Sequence, residues 1–197
     1  MIPYSRQQIT DSDIAAVVSA LKDDILTGGD KVGEFEQAIA EYVGVKHVVA
    51  MNSATSALHV AYLALGVREG DEVVTTPITF AATANAALMA GAEVKFAPVK
   101  FDGNIDENAL ASLITPKTKV ITAVDFGGNP VNLDAILKLA KQRGIKVLDD
   151  ASHALGSSQN GVKVGTKADV SIFSFHPVKP LTTFEGGALA TNDDEIA

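Results

Sequence analysis

The chain has 197 residues, 47% of them hydrophobic, which is enough for one sizeable core. A formal net charge of -8 argues against nucleic acid or an anionic membrane surface as the main partner, because either would select a basic face. Cysteine is absent, which excludes a disulfide framework and thiolate chemistry and fits a reducing cytoplasm.

The opening "MIPYSRQQITDSD" has no basic segment followed by an apolar one, and no later run approaches membrane-spanning length, so a soluble cytoplasmic protein is expected. "TDSDIAAVVSALKDD" then reads as an N-capped amphipathic helix and "KVGEFEQAIAEYVGV" as a second, with "ILTGG" between them. From there short β-branched runs alternate with helical segments, the pattern of parallel strands joined by crossover helices. The strand candidates are "HVVAM", "EVVTT", "EVKFAPV", "KVITAVD", "KVLDD", "VSIFSF" and "GALATN". The intervening helices are expected at residues 56–65, 81–90, 107–114 and 133–143. Pro177, Pro180 and the Gly186-Gly187 pair leave too little room for a helix before the seventh strand, which is therefore expected to run antiparallel. The expected fold is α/β: a seven-stranded, mostly parallel sheet with one antiparallel strand between helical layers. No repeat or linker divides the chain. "TNDDEIA" opens like a new helix with an acidic first turn and then stops, so a truncated, N-terminal piece of a longer chain is expected.

Three stretches can carry chemistry. In "AMNSATSALHVAYLALG" a strand closes at Asn52 and a helix opens near Ser56; the backbone N–H groups and hydroxyls there suit a phosphate, or serve as an ordinary N-cap. Neither a P-loop nor a G-x-G-x-x-G fingerprint is present, which counts against a nucleotide triphosphatase and against a nicotinamide-binding domain. In "KVLDDASHALGS", Asp149 and Asp150 close a strand with His153 just beyond; such a strand end lines the ligand crevice of a parallel sheet, while a surface carboxylate is the plainer alternative. Adjacent strand residues point opposite ways, so the two acids are expected to split their roles. The pair has no further ligand cluster to make a metal site, and His47, His59, His153 and His176 lack zinc-like spacing. In "FSFHPVKPLTTFEGGALATN", Lys179 is held between two prolines in apolar surroundings, either as a surface lysine in a stiff turn or as an amine whose burial makes it a nucleophile toward aldehydes. Phosphate donors, a strand-end acid and a constrained lysine at one sheet edge together match the needs of pyridoxal 5'-phosphate, with Phe80 as an aromatic able to stack on a ring or simply to pack in the core.

Taken together, "IPYSRQQIT", "LTGG", "NSATSALH", "PITFAATAN", "DGNID", "DASHALGS" and "SFHPVKPLTTFEGGA" resemble the sugar aminotransferases of the DegT/DnrJ/EryC1/StrS family. The resemblance implies the large domain of a fold type I pyridoxal-phosphate transferase, with Lys179 as the Schiff-base lysine and Asp150 as the partner of the pyridine nitrogen. It further implies that His153 contacts the ring hydroxyl, that Phe80 covers the ring, and that Thr55, Ser56 and Ser174 hold the phosphate. Tyr4, Asp24, Ile25, Leu26, Thr27 and Ala54 fall where the family approaches the nucleotide sugar. Within the family the chain is most similar to members that aminate C4 of a UDP-linked 4-keto-6-deoxy-N-acetylhexosamine on the route to pseudaminic acid, with L-glutamate as amino donor. The related sugar dehydratases carry histidine where this chain has Lys179, so transamination is the implied reaction. The resemblance also implies a homodimer in the full-length protein and a C-terminal small domain beyond residues 1–197. Gly28, Gly29 and Asp30, and Phe184 before "EGG", depart from the family pattern. The competing reading is an inactive sheet domain that binds cofactor, nucleotide or a partner without catalysis.

Overall fold

The computed structural model describes residues 6–197. Helices α1 (Asp11–Ala20) and α2 (Asp30–Val43) precede strand β1 (His47–Met51). Then come α3 (Ala54–Ala64), β2 (Glu72–Thr75), α4 (Ala82–Met89), β3 (Glu93–Phe96), α5 (Leu110–Leu113), β4 (Thr118–Val124), α6 (Leu133–Arg143) and β5 (Lys146–Asp150). A hairpin of β6 (Ser158–Gln159) and β7 (Val162–Lys163) separates these from β8 (Val170–Ser174) and β9 (Gly187–Thr191).

Seven strands form one sheet in the order β1-β9-β8-β5-β4-β2-β3. Strand β9 runs antiparallel to both neighbours, and the other six share one direction. Alternate residues serve opposite faces. Val73, Val120, Leu148, Ile172 and Leu189 pack with α3 and α4, whereas Val74, Ile121 and Val147 pack with α6, and Phe173 and Ala188 with α2. The central strands are buried on both faces, which is why they read as unbroken apolar runs. Tyr62, wholly buried in α3, is tolerated because its hydroxyl donates to the Thr83 carbonyl at 3.0 Å and lies 2.9 Å from Thr122 Oγ1.

Four details differ from the sequence expectations. Helix α5 is a single turn: Asp106 Oδ1 accepts the N–H of Asn108, and this local bond competes with helix formation. The β6–β7 hairpin turns at Asn160 (φ 53°) and Gly161 (φ 77°), an Asn-Gly turn that suits the twist of short antiparallel strands. Residues 193–197 form a turn in place of a helix start. Helix α1 buries no residue, and its apolar stripe of Ile14, Val17 and Val18 is exposed. Among the described residues no helix is long and apolar enough to cross a membrane.

One glycine sets how α3 meets the sheet. A Cβ on Gly187, at the start of β9, would lie 2.3 Å from the backbone nitrogen of Ala54 and 2.3 Å from the carbonyl carbon of Ser53. Both are backbone atoms and cannot swing aside. Gly187→Ala is expected to cost about 1–3 kcal/mol as overpacking, read by urea denaturation; wild-type stability would show that α3 does not seat against β9 in this way.

Candidate active site

The carboxyl ends of β4, β5 and β8 converge with the start of α3 on a cavity of about 250 Å3. Helix α3 supplies one wall. Ser53 caps it by accepting the Ser56 N–H at 3.1 Å, and the Ser56 hydroxyl donates to Asn52 Oδ1 at 2.7 Å. The next N–H groups, of Ala54 and Thr55, have no acceptor among the described residues, as expected in a first helical turn. Ser53, Ala54 and Thr55 all line the cavity, so these donors and the positive end of the helix dipole lie at its wall.

Strand β5 supplies the acid. Asp150 is 4% exposed, and both its oxygens are held: Thr83 Oγ1 donates to Oδ2 at 2.7 Å and Ser152 Oγ to Oδ1 at 2.6 Å. Thr79 Oγ1, 2.7 Å from Thr83 Oγ1, completes the chain of hydroxyls. The orientation of this carboxylate is therefore set from two elements, α4 and the loop after β5.

Lys179 lies in the loop between β8 and β9, where its N–H donates to the His176 carbonyl at 2.9 Å. Half-buried, it has a pKa below the ordinary lysine value because burial disfavours the ammonium, an effect partly offset by the charge of Asp150. His153 is likewise shifted down, by burial first and then by the Lys179 charge, against an opposing pull from Asp150. Its Nδ1 accepts the Gly127 N–H at 3.3 Å, so a neutral ring carries its proton on Nε2.

The cavity lining thus brings together Ala54, Thr55, Phe80, Asp150, His153, Ser174 and Lys179 of the residues singled out in the sequence. Phe80 is 73% exposed, so it serves the cavity mouth and not the core. Ser56 lies one position behind the lining, engaged in the helix cap. Asp24, Ile25, Leu26 and Thr27 occupy the exposed connection between α1 and α2 and are not part of the lining. Tyr4 lies outside the described residues. Sequence reasoning missed Ser53, Thr83 and Ser152. The spacing of Ser53 and Ser56 was a usable cap signal, but the Thr83 and Ser152 bonds to Asp150 had none. Phe184, one of the departures from the family pattern, precedes the lining residue Glu185 and has φ 67°, a left-handed conformation that is uncommon for a bulky residue.

Comparison with solved structures places this architecture. Helicobacter pylori PseC, an aminotransferase involved in the biosynthesis of pseudoaminic acid, superposes with a TM-score of 0.94 at 45% identity, over 98% of this chain and 53% of that one. The PLP-form of the putative sugar aminotransferase Spr1654 from Streptococcus pneumoniae also matches with a TM-score of 0.94, at 32% identity, over 100% of this chain and 54% of that one. The sheet is that of the aminotransferase α/β class. More particularly, residues 7–197 match the family model, and the chain belongs to the DegT/DnrJ/EryC1/StrS aminotransferase family. It is 62% identical over 199 residues to the UDP-4-amino-4,6-dideoxy-N-acetyl-beta-L-altrosamine transaminase of Campylobacter jejuni subsp. jejuni serotype O:23/36 (strain 81-176), an alignment covering 100% of this chain and 53% of that protein. The chain spans about half the length of the curated relatives it matches.

The two donors to Asp150 differ in burial, and so should the cost of losing them. Thr83→Val strips a buried oxygen of its partner and is expected to cost roughly 1–3 kcal/mol. Ser152→Ala, at a partly exposed position where water can replace the hydroxyl, should cost less. Urea denaturation of the two variants gives the order.

Proposed function

We propose that the protein is a pyridoxal-phosphate-dependent aminotransferase that moves an amino group from L-glutamate to C4 of a UDP-linked 4-keto-6-deoxy-N-acetylhexosamine, in pseudaminic acid biosynthesis. The observation that carries this reading is the joint presence, in one cavity, of a half-buried lysine with depressed basicity, a fully fixed carboxylate and the free N–H groups of a helix start. The donor set fits the cofactor: Ala54 and Thr55 N–H groups with Thr55 and Ser174 hydroxyls for its phosphate, Asp150 for the ring nitrogen, His153 for the ring hydroxyl, Phe80 for the ring face and Lys179 for the aldehyde. The names of the Campylobacter jejuni and Helicobacter pylori relatives support the sugar substrate.

When bound, the cofactor supplies an electron sink for the substrate carbon that loses its proton. Asp150 holds a proton at the pyridine nitrogen, and Thr83 and Ser152 keep its oxygens from turning away. Lys179 Nζ, with its proton affinity lowered by burial, would hold the cofactor through its aldehyde and, when free, would move the proton at the substrate carbon. Tyr4 and residues 24–27 contribute to nucleotide-sugar binding, and the full-length protein works as a cytoplasmic homodimer.

Borohydride reduction of the chain incubated with pyridoxal phosphate should leave a pyridoxyl group on the Lys179 peptide by mass spectrometry. Labelling spread evenly over surface lysines, or unchanged in Lys179→Ala, would overturn the cofactor reading. In full-length protein, Asp150→Asn should lower kcat by roughly 100-fold or more while KM for the keto-sugar changes little; steady-state kinetics with L-glutamate and the UDP-4-keto-sugar separates the two.

A further inference from the structure

Two acids on the opposite side of the sheet take no part in that reaction. Asp149 faces Ala123 across the β4–β5 ladder, and Asp125 follows Ala123 by two residues, so both belong to the face opposite Asp150. They are 1% and 2% exposed, and both line a second cavity of about 30 Å3 beside Val131, Gln159, Lys163 and Lys167. Asp125 Oδ1 accepts the Val131 N–H at 2.9 Å, but Asp125 Oδ2 and Asp149 Oδ1 are buried with no partner among the described residues.

Among the described residues the nearby lysines are engaged elsewhere. Lys163 Nζ lies 4.1 Å from the Tyr42 ring centroid and donates to the Tyr42 carbonyl, while Lys167 Nζ is paired with Asp134 at 2.6 Å. Asp150, across the strand, adds negative potential, and among the described residues no other titratable side chain lines this cavity. Two full negative charges buried there would stand unpaired, which proteins avoid by keeping a proton.

We propose that Asp125 and Asp149 together keep one proton at neutral pH, and that Asp125, through its bond from the Val131 N–H, positions the turn at residues 126–128 and, through it, His153. The turn follows directly from Asp125: Gly128 N–H donates to its carbonyl at 3.0 Å, Gly127 N–H reaches His153 Nδ1, and the Phe126 ring meets the imidazole edge-on at 6.4 Å between centroids. Asp125 is a positioning residue; neither acid lines the larger cavity. Burial agrees, pushing Asp125 up to about 6 and Asp149 well above the carboxylate range, with further upward pushes from Asp125 on Asp149 and from Asp150 on both. Such values belong to the pair and not to one residue. The proton concerns these side chains alone, whereas its consequence for catalysis through His153 rests on the proposed function.

The sign of the pH dependence follows. The folded pair keeps protons that the unfolded chain has already released, so its contribution to stability falls as pH rises above the ordinary carboxylate range. Below about 6 the folded pair carries two such protons and above it one, so the fall should become half as steep there. The test uses the whole chain without cofactor. Infrared spectra at neutral pH should contain the C=O stretch of a neutral carboxylic acid, absent from the Asp125→Asn/Asp149→Asn double variant, whose denaturation stability should lose the downward slope from about pH 5 to 8. Should the double variant fail to fold, the wild-type infrared titration decides alone. No acid band at neutral pH, or a stability that rises with sodium, potassium, magnesium or calcium chloride over choline chloride, would overturn the shared proton in favour of two carboxylates on a metal cation. For the positioning half, Asp125→Ala should shift the His153 imidazole NMR resonances while Asp125→Asn, which still accepts the Val131 N–H, restores them; unmoved resonances in Asp125→Ala would refute it.

Discussion

Helix α3 begins where the side chain of residue 187 would be, and the site depends on that empty space. Because β9 opens with glycine, the helix start can sit directly on the sheet, and Ala54 and Thr55 line the cavity. Strand β9 is also the antiparallel strand that joins β1 to the rest of the sheet, so a single small residue couples strand order to the position of the helix dipole. Burial of Val73, Leu148, Ile172 and Leu189 against α3 and α4 then holds the arrangement.

Charge is distributed by strand alternation. Asp150 and Asp149 are neighbours in the chain but look into different cavities. On one face the carboxylate is fixed by two hydroxyls and has the Lys179 amine close enough to feel its charge. On the other, an acid is buried among groups that cannot neutralise it. A carboxyl held by two hydroxyls and a pair of buried acids thus stand on opposite sides of β5.

Much of the fold was legible because buried parallel strands are β-branched runs whatever they pair with, as in residues 170–174. The antiparallel course of β9 was legible from the two prolines and two glycines that leave no room for a crossover. Strand order was not, since it depends on contacts between distant segments. That Lys179 and Asp150 would meet at one sheet edge was readable from a lysine held between two prolines and an acid closing a buried strand. Thr83 was not, because its meaning is a bond to Asp150 across 67 positions of sequence. The Asn160-Gly161 turn was visible in the letters but lacked the alternating flanks that announce a hairpin. Residues 24–27 show the reverse limit: family resemblance assigns them to a site, yet their exposed connection lies outside the cavity lining of this chain.

The loop that carries Lys179 is clamped at both ends by the β8–β9 ladder, with Ser174 opposite Gly187 and Phe175 N–H on the Gly186 carbonyl. Register therefore acts as a ruler for the amine. A slip of two residues would keep every side chain on its proper face, yet would shift one strand by about 7 Å along the other and bring a side chain under the start of α3. The steric demand at residue 187 penalises such a slip, so the contact that seats the helix also proofreads the placement of the lysine.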